Sequence, residues 1–305
     1  MLSVQPLRSA QGAADYYHTA FEYYSGDAQS MRWLGKGAEM LGLSGKVEKQ
    51  DMLNLLEGRL PNGQVLKNPK GEHRPGFDMT FTAPKSMSIL IGLDADEKLL
   101  EIHDLAVERA IQRIEKEFAQ TRIVIDGKVH YVNTGNLVVA AIRQPSSRAN
   151  EPNTHTHGVT MNITFSEDEK ARSLASDMDF NQGVIEQLQK HIKYAGLAAY
   201  RTEAANLLKE NLYRLKDVGH GLFELADFPK ELIDEFSSRS QNKKEIMEEN
   251  NWEGARYASI ATQLSRPDKE EHDLEVLKTD WVERAKQHGF DAKQFVENHK
   301  AKTQE

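Results

Sequence analysis

The sequence predicts an α+β protein, one mixed domain with an appended helical, partly flexible region. Three observations carry this: a long helical period over 96–120, strand-like alternation and β-branched runs between 77 and 164, and lost periodicity over 237–271. In chain order, residues 10–40 read as helix, rich in Ala and carrying Tyr16, Tyr17, Tyr23 and Tyr24 before the breaker Gly26-Asp27. Steps of seven bring Tyr16 beneath Tyr23 and Tyr17 beneath Tyr24. Gly35-Lys36-Gly37 opens a short helix through Met40, and Asp51 reads as the N-cap of a helix over 52–60 closed by Pro61-Asn62-Gly63. Phe77, Met79 and Phe81 alternate with polar neighbours, so a half-buried strand is expected, with Asp78 on its other face.

The helix over 96–120 draws its apolar stripe from Leu99, Ile102, Leu105, Ala106, Ala110, Ile111 and Ile114. Asp126-Gly127 joins 122–125 to 129–132 as a hairpin. Strands are expected over 137–142 and 158–164, linked by a polar loop over 144–153. Helix is expected over 179–216 and again over about 272–288, with a mobile segment over 237–271 between them.

The chain has 305 residues, 28% charged and 39% hydrophobic, which excludes disorder throughout. No apolar run approaches the ~20 residues that cross a bilayer, and the opening residues lack a secretory layout; an unexported protein is expected. Without cysteine there is no disulfide scaffold, thiolate nucleophile or Cys-built zinc site, so a metal must be held by His, carboxylate or amide. The net charge of −8 arises entirely after residue 150, since residues 1–150 carry 18 basic and 18 acidic side chains. That disfavours a protein coating DNA generically, but a neutral half can own a basic groove.

The most specific chemical signal is His155-Thr156-His157 at the apparent beginning of a strand. Residues i and i+2 of a strand share a face, so both imidazoles can reach one ion. A third ligand must come from nearby loops, and Gln144, eleven residues upstream, can return alongside. An amide oxygen is a hard neutral donor that suits magnesium or manganese better than zinc and binds more weakly than imidazole. His73, His103 and His130 are spare candidates, with His103 expected on the surface of its helix. The paired tyrosines are the second signal. With a pKa near 10, roughly one phenol in a thousand is ionised at pH 7, a deficit of about 4 kcal/mol. A His-held metal and a carboxylate such as Asp78 can supply that activation. Ordinary packing and stacking on unpaired bases are the other uses of such rings.

Together these residues resemble the MobF-type conjugative relaxases. Arg8-Ser9-Ala10 precedes the two tyrosine pairs and the run Trp33-x-Gly35-Lys36-Gly37-Ala38-Glu39. Four further blocks agree, over 56–63, 73–86 and 134–138 and at Glu151-Pro152-x-x-His155-Thr156-His157; Phe236-Ser237-x-Arg239-Ser240-Gln241 is similar to a late motif. The resemblance implies a central antiparallel sheet of about five strands with helices on its faces, the HUH-type relaxase palm, within a catalytic domain over 1–236. Residues 237–305 would form a DNA-covering segment packed on it. It implies site- and strand-specific nicking at a plasmid origin of transfer, through a covalent 5′-phosphotyrosine, in the bacterial cytoplasm. Tyr16 is then the leading nucleophile, Tyr17 its neighbour, and Tyr23 or Tyr24 candidates for a second transfer. Asp78 would orient a metal histidine or deprotonate the tyrosine, and Arg8, Lys85, Arg148 and Arg239 would contact DNA. Implied partners are single-stranded origin DNA and other relaxosome and secretion-coupling proteins. One departure stands out: where the family's three-histidine cluster has its first histidine, this chain has Gln144, so the site works with two histidines and an amide, or with water or His73, or metal affinity and nicking are impaired; weaker binding biased to harder ions is expected. No nucleotide-cradling G-x-x-x-x-G-K-[ST] appears, so ATP hydrolysis is not expected. A single-strand-binding module and a nuclease using activated water are the two rival classes.

Overall fold

A computed structural model describes residues 2–24, 30–66, 73–175, 184–265 and 273–304. The chain begins β1 (Leu2–Pro6), α1 (Ala10–Tyr24), β2 (Met31–Leu34), α2 (Lys36–Met40), α3 (Lys49–Leu56), β3 (Gly76–Thr82), α4 (Lys85–Gly92) and α5 (Glu97–Phe118). It continues through β4 (Gln120–Ile125), β5 (Lys128–Asn133), β6 (Val139–Ser146), β7 (Pro152–Met161), β8 (Thr164–Phe165), β9 (Ala171–Arg172) and α6 (Val184–Glu210). The remainder is β10 (Leu215–Gly219), β11 (Leu222–Leu225), α7 (Lys230–Glu235), α8 (Ser238–Glu249), α9 (Ala255–Leu264), α10 (Leu274–Gln287) and α11 (Ala292–Gln304). The chain divides into two compact units, one of 1–82, 102–144 and 155–207, the other of 83–101, 145–154 and 208–305. Among the described residues no helix is long and apolar enough to cross a membrane.

In the first unit the sheet is five-stranded and antiparallel, in the order β1-β3-β7-β6-β2, which puts the His-bearing strand at its centre. The α+β class and this sheet agree with expectation, but two of its strands do not. The hairpin at Asp126-Gly127 forms as expected, with both turn residues at positive φ, yet it is a separate two-stranded sheet. The sheet edges are β1 and β2, of five and four residues, too short for an alternation to be read. β2 also interrupts the helix expected over 10–40, while Gly26-Asp27 lies outside the described residues.

β6 and β7 reach further into the polar stretch than expected, so the loop over 144–153 shrinks to 147–151 and His155 and His157 fall inside a strand. Polar side chains enter a sheet readily where they find partners there. α3 starts at Lys49 behind Glu48, which leaves Asp51 in its first turn instead of at the cap. The aperiodic segment is largely helical among its described residues, as α8 and α9, and the hairpin β10/β11 occupies the end of the helix expected over 179–216.

Alternation assigns the sheet's two faces. Val138, Ala140 and Ile142, beside Val159 and Met161, pack with Ala13, Ala14 and Tyr17 of α1 and Met52, Leu55 and Leu56 of α3. On the other face Phe81 meets the Tyr200 ring at 5.8 Å, and Gly196 lies so close to Leu2 that an added Cβ would come within 2.5 Å of it. His103 belongs to this buried layer and is fully enclosed, whereas Leu105 is 37% exposed. The stripe of α5 runs through 99, 103, 106 and 110, one helical face. His103 can occupy it because its ring nitrogens meet the Tyr200 hydroxyl at 2.7 Å and Thr156 Oγ1 at 2.9 Å. Burial holds its pKa well below that of a free imidazole, with Arg143 the next cause.

Two motifs act as fasteners. Gly37 donates to Leu137 O at 2.9 Å, a backbone approach that a Cβ, 2.8 Å from that oxygen, would block. Beside it Oε2 of buried Glu115, on α5, accepts the N–H groups of Lys36 and Leu137 at 3.0 and 3.1 Å. Buried Asn136 donates to Thr134 O and Phe165 O and accepts from Phe165 N and Thr164 Oγ1.

The second unit has its own core, in which Ile89, Leu93, Leu232, Phe236, Leu277 and Trp281 pack together. Trp281 Nε1 donates to Asn150 O at 2.7 Å, and the Glu224 carboxylate accepts the N–H groups of Lys85 and Ser86 that open α4.

Glu115→Ala leaves the buried Leu137 N–H without its partner and the Lys36 N–H to water, and is expected to cost about 1–3 kcal/mol of stability, read from urea unfolding.

Candidate active site

The candidate site lies within the first unit, on the sheet face that carries α1. Tyr17 sits on the buried side of α1 with Ala13 and Ala14, 5% exposed, while Tyr16 is 39% exposed. The Tyr17 ring stands 5.2 Å from the His157 ring, and Tyr16 meets Tyr17 edge-on at 5.0 Å. Tyr23 and Tyr24 end α1, and their side chains lie outside the described residues.

His155 and His157 project from β7 on one face, with ring centroids 5.1 Å apart. His157 Nδ1 is 2.8 Å from Asp78 Oδ2. Nδ1 therefore carries the hydrogen of that bond, leaving Nε2 as the free lone pair. Asp78 is 7% exposed and lies, as expected, on the face opposite Phe77, Met79 and Phe81. Burial raises the Tyr17 pKa well above the ordinary phenol value, and the Asp78 carboxylate raises it further through its charge and a hydrogen bond with the Tyr17 side chain.

Gln144 alternates in β6 with Ala140 and Ile142, so it shares the face of His155 and His157. It is 6% exposed, and its Nε2 is buried with no partner. A flip would exchange its oxygen and nitrogen, so the amide can present either a donor or an acceptor at that buried point. Among the described residues no group of three or more His, Cys, Asp or Glu side chains could hold a metal ion. The spare histidines lie elsewhere: His73 stands over Gly58, His103 is bonded on the far face, and His130 is exposed on β5.

Of the expected DNA contacts, Arg8 is exposed between β1 and α1. The other three belong to the second unit. Arg148 is half-buried in the β6–β7 loop, and Arg239 on α8 donates to Thr262 O. Lys85 Nζ donates to Pro152 O at 2.7 Å, and burial brings its pKa down to about 8 against the pull of Glu151 and Glu224. Thr80, which sequence reasoning passed over, joins Asp78 and His157; its place two residues after Asp78 was the available signal.

The fold thus sets a tyrosine pair beside two histidines, one of them held by a carboxylate, on a five-stranded antiparallel sheet. The TrwC relaxase family signature matches residues 10–288, and the chain belongs to that family. It is 36% identical over 303 residues to the multifunctional conjugation protein TraI of Escherichia coli strain K12, and 36% identical over 300 residues to a second Escherichia coli TraI. Each match covers 97% of this chain and 17% of the relative, so the chain spans about a sixth of their length. A metal-free structure of the conjugative relaxase TrwC with oriT DNA matches with a TM-score of 0.84 at 33% identity, covering 96% of this chain and 100% of that one. The copper-bound structure of TrwC with oriT DNA gives 0.85 at 34% identity with the same coverage.

Two measurements follow. Nitration mapped by peptide mass spectrometry is expected to modify Tyr16 ahead of Tyr17, whose phenol is enclosed and harder to ionise. Lys85 titrates near 8 when folded but near ~10.4 when free, so between those values the unfolded chain binds the extra proton and stability rises with pH. Urea midpoints of the wild type are expected to climb relative to Lys85→Met between about pH 8 and 10.

Proposed function

We propose that this chain cuts one DNA strand at an origin of transfer by transesterification, with Tyr16 as the nucleophile. The observation that carries the reading is the Tyr16–Tyr17 pair packed against His157, itself held by Asp78. The exposed Tyr16 oxygen attacks the scissile phosphorus, the P–O3′ bond breaks, and the strand leaves with a 3′ hydroxyl. The 5′ phosphate stays on the tyrosine. One phosphodiester replaces another, so the reverse step reseals the strand without ATP. Asp78 takes the phenolic proton and returns it to the departing O3′, while Tyr17, enclosed, hard to ionise and hydrogen-bonded to Asp78, packs behind Tyr16. Tyr23 and Tyr24 are the candidates for the second transfer.

His155, His157 and Gln144 would hold a divalent cation, magnesium or manganese ahead of zinc because the third donor is an amide. When bound, that ion supplies polarisation of the phosphate. The copper and oriT DNA of the TrwC structures support the ligand classes. Arg8, Lys85, Arg148 and Arg239 are the proposed phosphate contacts, residues 237–305 the proposed DNA-covering segment beside a catalytic 1–236, and relaxosome and secretion-coupling proteins in the bacterial cytoplasm the proposed partners.

Incubating an origin oligonucleotide with the chain and manganese is expected to give a band shift that survives denaturant. In Tyr16→Phe that adduct is expected to fall below about a thousandth of the wild-type amount. Free 5′ phosphate ends without a protein-linked band would mark a nuclease that uses activated water.

A further inference from the structure

Asp78 and Thr80 stand two residues apart on β3 and share a face, and the β3/β7 register sets Thr80 directly across from His157. The Thr80 hydroxyl donates to Asp78 Oδ2 at 3.1 Å and lies 3.3 Å from His157 Nδ1. His157 Nδ1 is in turn 2.8 Å from the same Oδ2. Two polar side chains thus converge on a single carboxylate oxygen.

A threonine hydroxyl has one hydrogen and two lone pairs. With its hydrogen on Oδ2, it turns a lone pair toward Nδ1 and can share the Nδ1–H with the carboxylate. An imidazole with the proton on Nε2 would face two acceptors there, the carboxylate and this lone pair, and find no donor. Thr80 also stops the carboxylate from turning, because rotation would break two bonds at once.

We propose that Thr80 is a positioning residue for strand cutting. It commits Asp78 Oδ2 to His157 and holds that imidazole as the Nδ1–H tautomer with Nε2 bare. This rests on the transesterification reading. Outer partners of this kind typically change affinity or activity by about 10–100-fold.

Thr80→Val keeps the side-chain volume and removes the hydroxyl; Thr80→Ser keeps the hydroxyl and removes a methyl. In steady-state cutting of an origin oligonucleotide by the full chain, Thr80→Val is expected to lower kcat about tenfold with KM nearly unchanged. Thr80→Ser is expected to stay close to wild type on both. An undiminished kcat in Thr80→Val, or a Thr80→Ser as impaired as Thr80→Val, overturns the proposal. Nitrogen-15 NMR of the imidazoles gives a readout that needs no turnover. His157 is expected as the Nδ1–H tautomer in the wild type, with a population of Nε2–H appearing in Thr80→Val; an identical tautomer balance overturns the positioning role. Should the wild type form no adduct at all, the transesterification reading fails and the NMR comparison still decides Thr80. Thermal melts by circular dichroism accompany each variant, and if Thr80→Val does not fold, Thr80→Ala, which also lacks the hydroxyl, is measured in its place.

Discussion

The bond between Asp78 Oδ2 and His157 Nδ1 is the interaction on which the site depends. It crosses from β3 to β7, so it exists only in the observed register, with Thr80 opposite His157 and Thr82 opposite His155. A one-residue slip would turn every side chain of a strand to the other face and separate carboxylate from imidazole. The bond also chooses between the two nitrogens of His157, and so decides which lone pair is available for chemistry. Tyr17 completes the arrangement by packing against that ring, and Tyr16 meets Tyr17 edge-on at the surface.

The reverse side of β7 is held with equal care. Thr156 lies between the two histidines in sequence but points to the opposite face, where His103 bridges it to Tyr200. Every member of that chain is buried and partnered, so its desolvation is offset by hydrogen bonds that also link α5 and α6 to the central strand. The buried Gln144 Nε2 of the opposite face, without a partner, makes a contrast. Buried polar groups without partners are costly, and this one lies on the same face as the histidine pair and the tyrosines. Such a cost is expected where a substrate or ion is to be received.

Much of this was legible from the residues. The alternation of Phe77, Met79 and Phe81 placed Asp78 on its own face, and the i, i+2 spacing of His155 and His157 placed both imidazoles together, because side-chain direction in a strand has a strict period of two. The hairpin was legible because Asp126-Gly127 accepts the positive φ its turn requires. The edge strands were not, since four or five residues leave no period to detect, and their membership in the sheet comes from pairing with β3 and β6. His103 was misplaced for a related reason: a polar residue on an apolar stripe reads as exposed until its partners, 53 and 97 positions away, are known.

Sequence by itself determined the α+β class, the family resemblance, and the residue types available for chemistry: phenols, imidazoles, a carboxylate and an amide. These follow from composition and local period, which need no knowledge of distant contacts. Tertiary structure decided which phenol is enclosed and which is open, which nitrogen of His157 is bonded, and that Thr80 belongs with them. Those outcomes depend on register and on packing between segments far apart in the chain, and local period carries no record of either.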